Sequence, residues 1–211
     1  MSNDLPERSV TLLTISQVPI RIHYSYIVFV IAIILGLVTA YGGAWALKTS
    51  QILGYLFICV LVHELGHASA AHTLGHKVRD VTIYPVGGLA TIEIKDANPH
   101  DIGWIAFAGP ASNFILFFVC LFFEEMSLSS LGVLSLILGA SNLLPIKSFD
   151  GGVILKCLLT NRIGKVKTET ALMVTSIFIV AIVGVIGLYL KSFLICLSAA
   201  FMFVYGVLLN D

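Results

Sequence analysis

Val62-His63-Glu64-Leu65-Gly66-His67-Ala68 decides how the rest of the chain is read. The stretch is an H-E-x-x-H motif inside an apolar run covering residues 51–71. On a helix, positions four apart lie on one face, a turn apart. His63 and His67 can therefore grip one metal ion together. Glu64, a step round the helix, is placed to act as general base toward an attacking water. The run is long enough to cross a bilayer, and ionisable groups inside such a run are costly and functional by default. The bland alternative is a pair of capped core histidines beside a chance glutamate. In a soluble chain the motif suggests a zinc protease, and in a membrane helix it suggests one that works inside the bilayer.

Composition supports the membrane setting. Only 11% of the 211 residues are charged, against roughly 25% in a soluble domain, and the mean hydropathy is +0.98. An integral membrane protein follows, with the lipid bilayer as its surroundings. The formal net charge is zero, so no nucleic-acid partner is implied. Cys59, Cys120, Cys157 and Cys196 lie far apart without C-x-x-C spacing and read as small apolar fillers.

Ahead of the motif, Leu13-Thr14-Ile15-Ser16 and Pro19-Ile20-Arg21-Ile22-His23 alternate, which predicts short strands at the membrane surface within residues 1–23. His23 reads as an interfacial histidine. A first spanning run covers residues 24–40, followed by a loop at 41–45. The motif helix then runs from 51 to 73, with Gly75 suited to its C-terminal cap. His72 and His76 are also four apart, but no glutamate follows His72, and both are expected at the surface.

Residues 78–94 break the helical pattern. Val81, Ile83 and Tyr84 favour strand, Pro85-Val86-Gly87-Gly88 turns, and Leu89-Ala90-Thr91-Ile92-Glu93-Ile94 alternates. A β-hairpin is predicted, and non-helical backbone at membrane depth must line protein or a water-filled cavity. The third run, 102–123, carries Ala108-Gly109-Pro110-Ala111-Ser112-Asn113 and ends at Glu124-Glu125. Small residues there allow close helix approach, and Asn113 calls for an interhelical partner. The fourth run, 128–144, leads into Asn142-Leu143-Leu144-Pro145-Ile146-Lys147-Ser148-Phe149-Asp150-Gly151-Gly152. Asp150 has two local readings, the third metal ligand or the N-cap of a short helix at 152–159. A fifth run covers 171–190 and a sixth 193–209; both lack ionisable side chains.

Six spans put both termini on one side. Ten of the twelve Lys and Arg fall there, leaving only Lys48 and Lys191 opposite. The positive-inside rule makes that side cytoplasmic, together with the hairpin and the Asp150 loop. His63 and His67 then lie toward the cytoplasmic half of their helix, where Asp150 emerges, which favours Asp150 as ligand.

The expected fold is an all-α polytopic membrane protein of about six transmembrane helices, with a small membrane-associated β-hairpin near the active site. One membrane-embedded unit spans 1–211: interfacial strands at 1–23, a catalytic core at 24–159 and two C-terminal transmembrane helices at 160–211.

H-E-L-G-H in a membrane helix, V-G-G-L-A in the hairpin, A-G-P-A-S-N in the next helix and N-L-L-P-x4-D-G-G later resemble the site-2 protease family of intramembrane zinc metalloproteases. The resemblance covers about residues 20–159. It is to the compact bacterial and archaeal branch that includes the sporulation-factor processing proteases, without a PDZ or nucleotide-binding regulatory domain. It implies a multi-pass protein of a prokaryotic cell membrane with a cytoplasmic active-site opening. It also implies Zn2+ held by His63, His67 and Asp150, Glu64 as catalytic base, and Asn142 holding the substrate carbonyl or its oxyanion. Gly87, Gly88 and Leu89 would belong to the substrate-guiding hairpin, whose strand edge can hold an extended peptide. The substrate would be a transmembrane protein cut in or beside its membrane segment, with room for a regulatory membrane partner. Lys147 and Ser148 depart from the pattern, since prolines are common there in the family. A metal transporter would spread ionisable residues along several helices, and an inactive scaffold would lack a core residue; neither pattern is seen.

Overall fold

The structure, a computed structural model, describes residues 8–85, 87–94, 98–123, 126–204 and 207. Strands β1 (Ser9–Ile15) and β2 (Val18–His23) form an antiparallel hairpin. Its turn uses Ser16 and Gln17, both at positive φ, which matches the twist of a two-residue hairpin. His23 then caps α1 (Tyr24–Tyr41), accepting from the Ser25 amide on Nδ1.

No loop of several residues separates α1 from the motif helix. Gly42 alone, at φ 84°, reverses the chain, and α2 (Gly43–Thr73) begins at the next residue. Its 31 residues make a helix about 46 Å long at 1.5 Å per residue.

The strands β3 (Lys77–Tyr84) and β4 (Gly87–Glu93) form the expected hairpin, apart from Val86, which lies outside the described residues. The expectation of an all-α protein whose N-terminal strands and hairpin stand apart is corrected here. β2 pairs in parallel with β3, Ile20 opposite Val81 and Ile22 opposite Ile83, so one four-stranded sheet runs β1-β2-β3-β4. Ile20, Val81 and Ile83 are buried against Ala68 of α2, and this apolar contact seats the sheet on the motif helix. β4 is left as an edge.

Five helices follow: α3 (Pro99–Cys120), α4 (Met126–Asn142), α5 (Asp150–Ile163), α6 (Lys165–Tyr189) and α7 (Phe193–Phe203). Asn98 caps α3 from its side chain, with Pro99 in the first turn. Among the described residues four helices, α1, α2, α3 and α6, are long and apolar enough to cross a membrane. The apolar part of α4, Leu128–Asn142, is shorter, and α7 has 11 residues. The predicted sixth run continues past α7 through residues 205, 206, 208 and 209, outside the described residues, as do Lys95 and the Glu124-Glu125 pair. Val28, Ile31 and Leu35 of α1 and Val174, Phe178 and Val185 of α6 are exposed, an apolar exterior that lipid covers.

Candidate metal centre

Small residues bring α3 against the motif. A Cβ on Gly66 would lie 2.5 Å from the Ala108 carbonyl oxygen, and one on Gly109 would lie 2.9 Å from His63 Cε1. Ser112 Oγ donates across the contact to the Val62 carbonyl at 2.9 Å. Pro110, buried inside α3, has no N–H and opens the helical ladder beside it. The nearby Ile105 carbonyl accepts a hydrogen bond from His67 Nδ1 at 2.7 Å. A carbonyl can only accept, so His67 carries its proton on Nδ1 and turns a lone pair outward on Nε2. His63 Nδ1 lies 2.7 Å from Asn113 Oδ1.

The third group arrives from the start of α5. Residues 143–149 loop back beneath α6, where Thr175 Oγ1 donates to the Pro145 carbonyl at 3.1 Å and Ile146 is fully buried. The Lys147 amide donates to Ser176 Oγ at 3.0 Å, a bond that a proline at 147 would lack. The departure from the family pattern thus exchanges ring stiffness for an anchor. Gly151 and Gly152 pass directly under the loop: Cβ atoms there would sit 2.6 Å from the Leu144 carbonyl oxygen and 2.7 Å from the Ile146 carbonyl carbon. Phe149 occupies the N-cap position of α5 without a side-chain cap bond, so the N-cap reading of Asp150 gives way. The Asp150 carboxylate faces the histidines instead, with Oδ2 3.1 Å from His63 Nε2 and Oδ1 3.4 Å from His67 Nε2.

His63, His67 and Asp150 each offer one ligand atom, all within 4.8 Å of one another. The two Nε2 atoms are 3.1 Å apart, and Asp150 Oδ2 is buried without a hydrogen bond. Electron-rich atoms converging this closely repel unless a cation lies among them. Two imidazoles and a carboxylate suit zinc and leave its fourth position open.

Glu64 is buried beside this group, and its Oε2 accepts from the Ala90 amide of β4 at 2.9 Å. A cavity of about 540 Å3 joins His63, Glu64, His67 and Asp150 to Gly87, Gly88, Leu89 and Asn142. The structure therefore brings every predicted site residue to one cavity. Asn142 Nδ2 donates to the Leu138 carbonyl of its own helix at 3.0 Å, and the amide carries a second N–H. The expectation that His76 lies at the surface is corrected: it is buried, with Nε2 3.3 Å from Asp101 Oδ2, while His72 is exposed. The sequence reading missed the Ala90 amide and the Ile105 carbonyl, because backbone groups leave no mark in residue type.

Three convergent metal donors and a buried carboxylate on a long apolar helix, all lining one cavity, suit the class of metal-dependent hydrolases. The chain belongs to peptidase family M50, the site-2 protease family of zinc metalloproteases, whose model matches residues 51–127 and 124–184. It is 31% identical to a zinc metalloprotease of Methanocaldococcus jannaschii, over 76% of this chain and 48% of that protein. It is 28% identical to stage IV sporulation protein FB of Bacillus subtilis, over 78% of this chain and 57% of that protein. The chain thus spans about half the length of these curated relatives. A solved structure, the site-2 protease from Methanocaldococcus jannaschii, superposes with a TM-score of 0.69 at 28% identity, covering 94% of this chain and 93% of that one.

Proposed function

We propose that this protein is an intramembrane zinc endopeptidase that hydrolyses a peptide bond in or next to a transmembrane segment of another membrane protein. The observation that carries the reading is the shared cavity: three metal donors, a general base and an unpaired strand edge open into one space. Zinc, when bound, acts as a Lewis acid on the scissile carbonyl and on water. The Ala90 amide holds Glu64 Oε2, leaving Oε1 to take the proton from the attacking water and pass it to the leaving amine. Asn142, which lines the same cavity, donates to the developing oxyanion.

A helix hides its carbonyls, so the substrate must unwind to be cut. The Ala90 amide points away from β3 toward Glu64. By strand alternation Gly88 and Ile92 turn their peptide groups the same way. An extended substrate segment adds to that edge, with Leu89 beside it at the cavity wall.

The topology proposed with this activity has α4 and the segment after α6 also within the bilayer, both termini cytoplasmic, and the cavity opening to the cytoplasm. A prokaryotic cell membrane is the proposed location, with a regulatory membrane partner able to control access. The test is reconstitution in liposomes with a panel of single-span proteins and mass spectrometry of the fragments. Cuts within or beside the spans that vanish on zinc chelation are expected. Metal flux without peptide products would replace the protease by a transporter.

A further inference from the structure

Asn113 is fully buried in α3 and makes more side-chain hydrogen bonds than a helix contact needs. Its Oδ1 is 2.7 Å from His63 Nδ1, and its Nδ2 is 3.0 Å from both the Cys59 carbonyl and Ser135 Oγ. Ser135, also fully buried, spends its own proton on the Asn113 main-chain carbonyl at 2.9 Å. Its oxygen can then only accept from the Asn113 side chain. The Cys59 carbonyl likewise can only accept. Both positions therefore require the NH2 end of the amide, which fixes its flip and turns Oδ1 toward His63. A carbonyl oxygen there requires a proton on His63 Nδ1, so Nε2 carries the lone pair that faces His67 and Asp150.

We propose that Asn113, locked by Ser135 and the Cys59 carbonyl, is a positioning residue that holds His63 in its Nδ1–H tautomer and so aims Nε2 at the zinc. The proposal rests on the zinc-site reading. It joins α2, α3 and α4 at one atom, because Ser135 belongs to α4. A residue that only clamped helices would affect stability and leave the ligand's tautomer and metal affinity alone.

The experiment is zinc affinity by chelator competition in detergent, paired with 15N-histidine NMR of the zinc-loaded protein. His63 is expected to show a proton on Nδ1 and none on Nε2; the opposite tautomer in the wild-type protein overturns the proposal without any variant. Asn113→Leu removes the acceptor and should weaken zinc binding roughly 10- to 100-fold, the usual effect of losing a ligand's hydrogen-bond partner. Asn113→Asp keeps an acceptor toward His63 but sets a carboxylate oxygen against the Cys59 carbonyl, which breaks the lock, so it too should bind zinc more weakly than the wild type. Unchanged affinity in Asn113→Leu overturns the proposal. His67→Ala and Asp150→Ala serve as references: if they keep zinc, the site reading itself fails, and if they lose it while Asn113→Leu does not, only the positioning role fails.

Discussion

Gly88 lies flat against Glu64: a Cβ on Gly88 would be 2.7 Å from Glu64 Oε1. The strand edge and the proposed general base share one space, and any side chain at 88 must push the carboxylate aside. Gly88→Val is expected to lose cleavage at least 100-fold, the lower range for losing general-base catalysis. Zinc content should stay near one per chain, because no ligand is touched. Fragment assays with elemental analysis of the same preparation check this, and normal cleavage would separate the hairpin from the reaction.

Glu64→Gln keeps an acceptor for the Ala90 amide and removes the basic oxygen. Activity should fall by roughly 10²- to 10⁴-fold with unchanged zinc content and melting temperature. An accompanying loss of zinc would place Glu64 among the ligands.

Asp150→Ala removes the only carboxylate in the donor group. Bound zinc should drop sharply on dialysis, and cleavage with it. Full zinc retention would send the search for a third ligand elsewhere in the cavity.

Gly152 tests the loop above it. Gly152→Ala would set a methyl 2.7 Å from the Ile146 carbonyl carbon, with backbone rather than a flexible side chain in the way. Overpacking of this kind costs typically 1–3 kcal/mol. A lower melting temperature in detergent and weaker zinc binding together are expected, since the start of α5 carries Asp150.

Lys147→Pro deletes the N–H that reaches Ser176 Oγ. A hydrogen bond of this kind contributes about 0.5–1.5 kcal/mol, and Ser176→Ala should cost a similar amount. In a double-mutant cycle the two losses should not add. Full additivity would show that the bond does not anchor the loop.

What the sequence disclosed was local. The four-residue spacing of His63 and His67, the apolar runs and the turn signal at Pro85 ahead of β4 are short-range patterns, and the matching helices and hairpin follow from them. Non-local pairing was not legible. Strand formers at Ile20 and Ile22 do not announce a partner at Val81 and Ile83, so one sheet was read as separate pieces. His76 was misplaced for the same reason, because its partner Asp101 stands in the first turn of α3, beyond the whole hairpin in sequence. The length of α2 escaped because a single glycine at positive φ replaces a loop that composition suggested. At the centre, residue types gave the candidate ligands and base; the groups that orient them are a main-chain amide, a main-chain carbonyl and an asparagine whose neighbours lie on other helices.

The parallel pairing of β2 with β3 has a consequence for how the protein is made. About sixty residues separate Ile20 from Val81, and they include all of α1 and α2. Both helices must be threaded into the bilayer before the two strands can meet, and contacts of such separation form late. The sheet is the bed on which β4 lies, so the edge of β4 takes shape only after that threading, and Glu64 gains its Ala90 amide no earlier. A chain still emerging from the ribosome therefore carries H-E-x-x-H before that edge exists, and Asp150 follows later still.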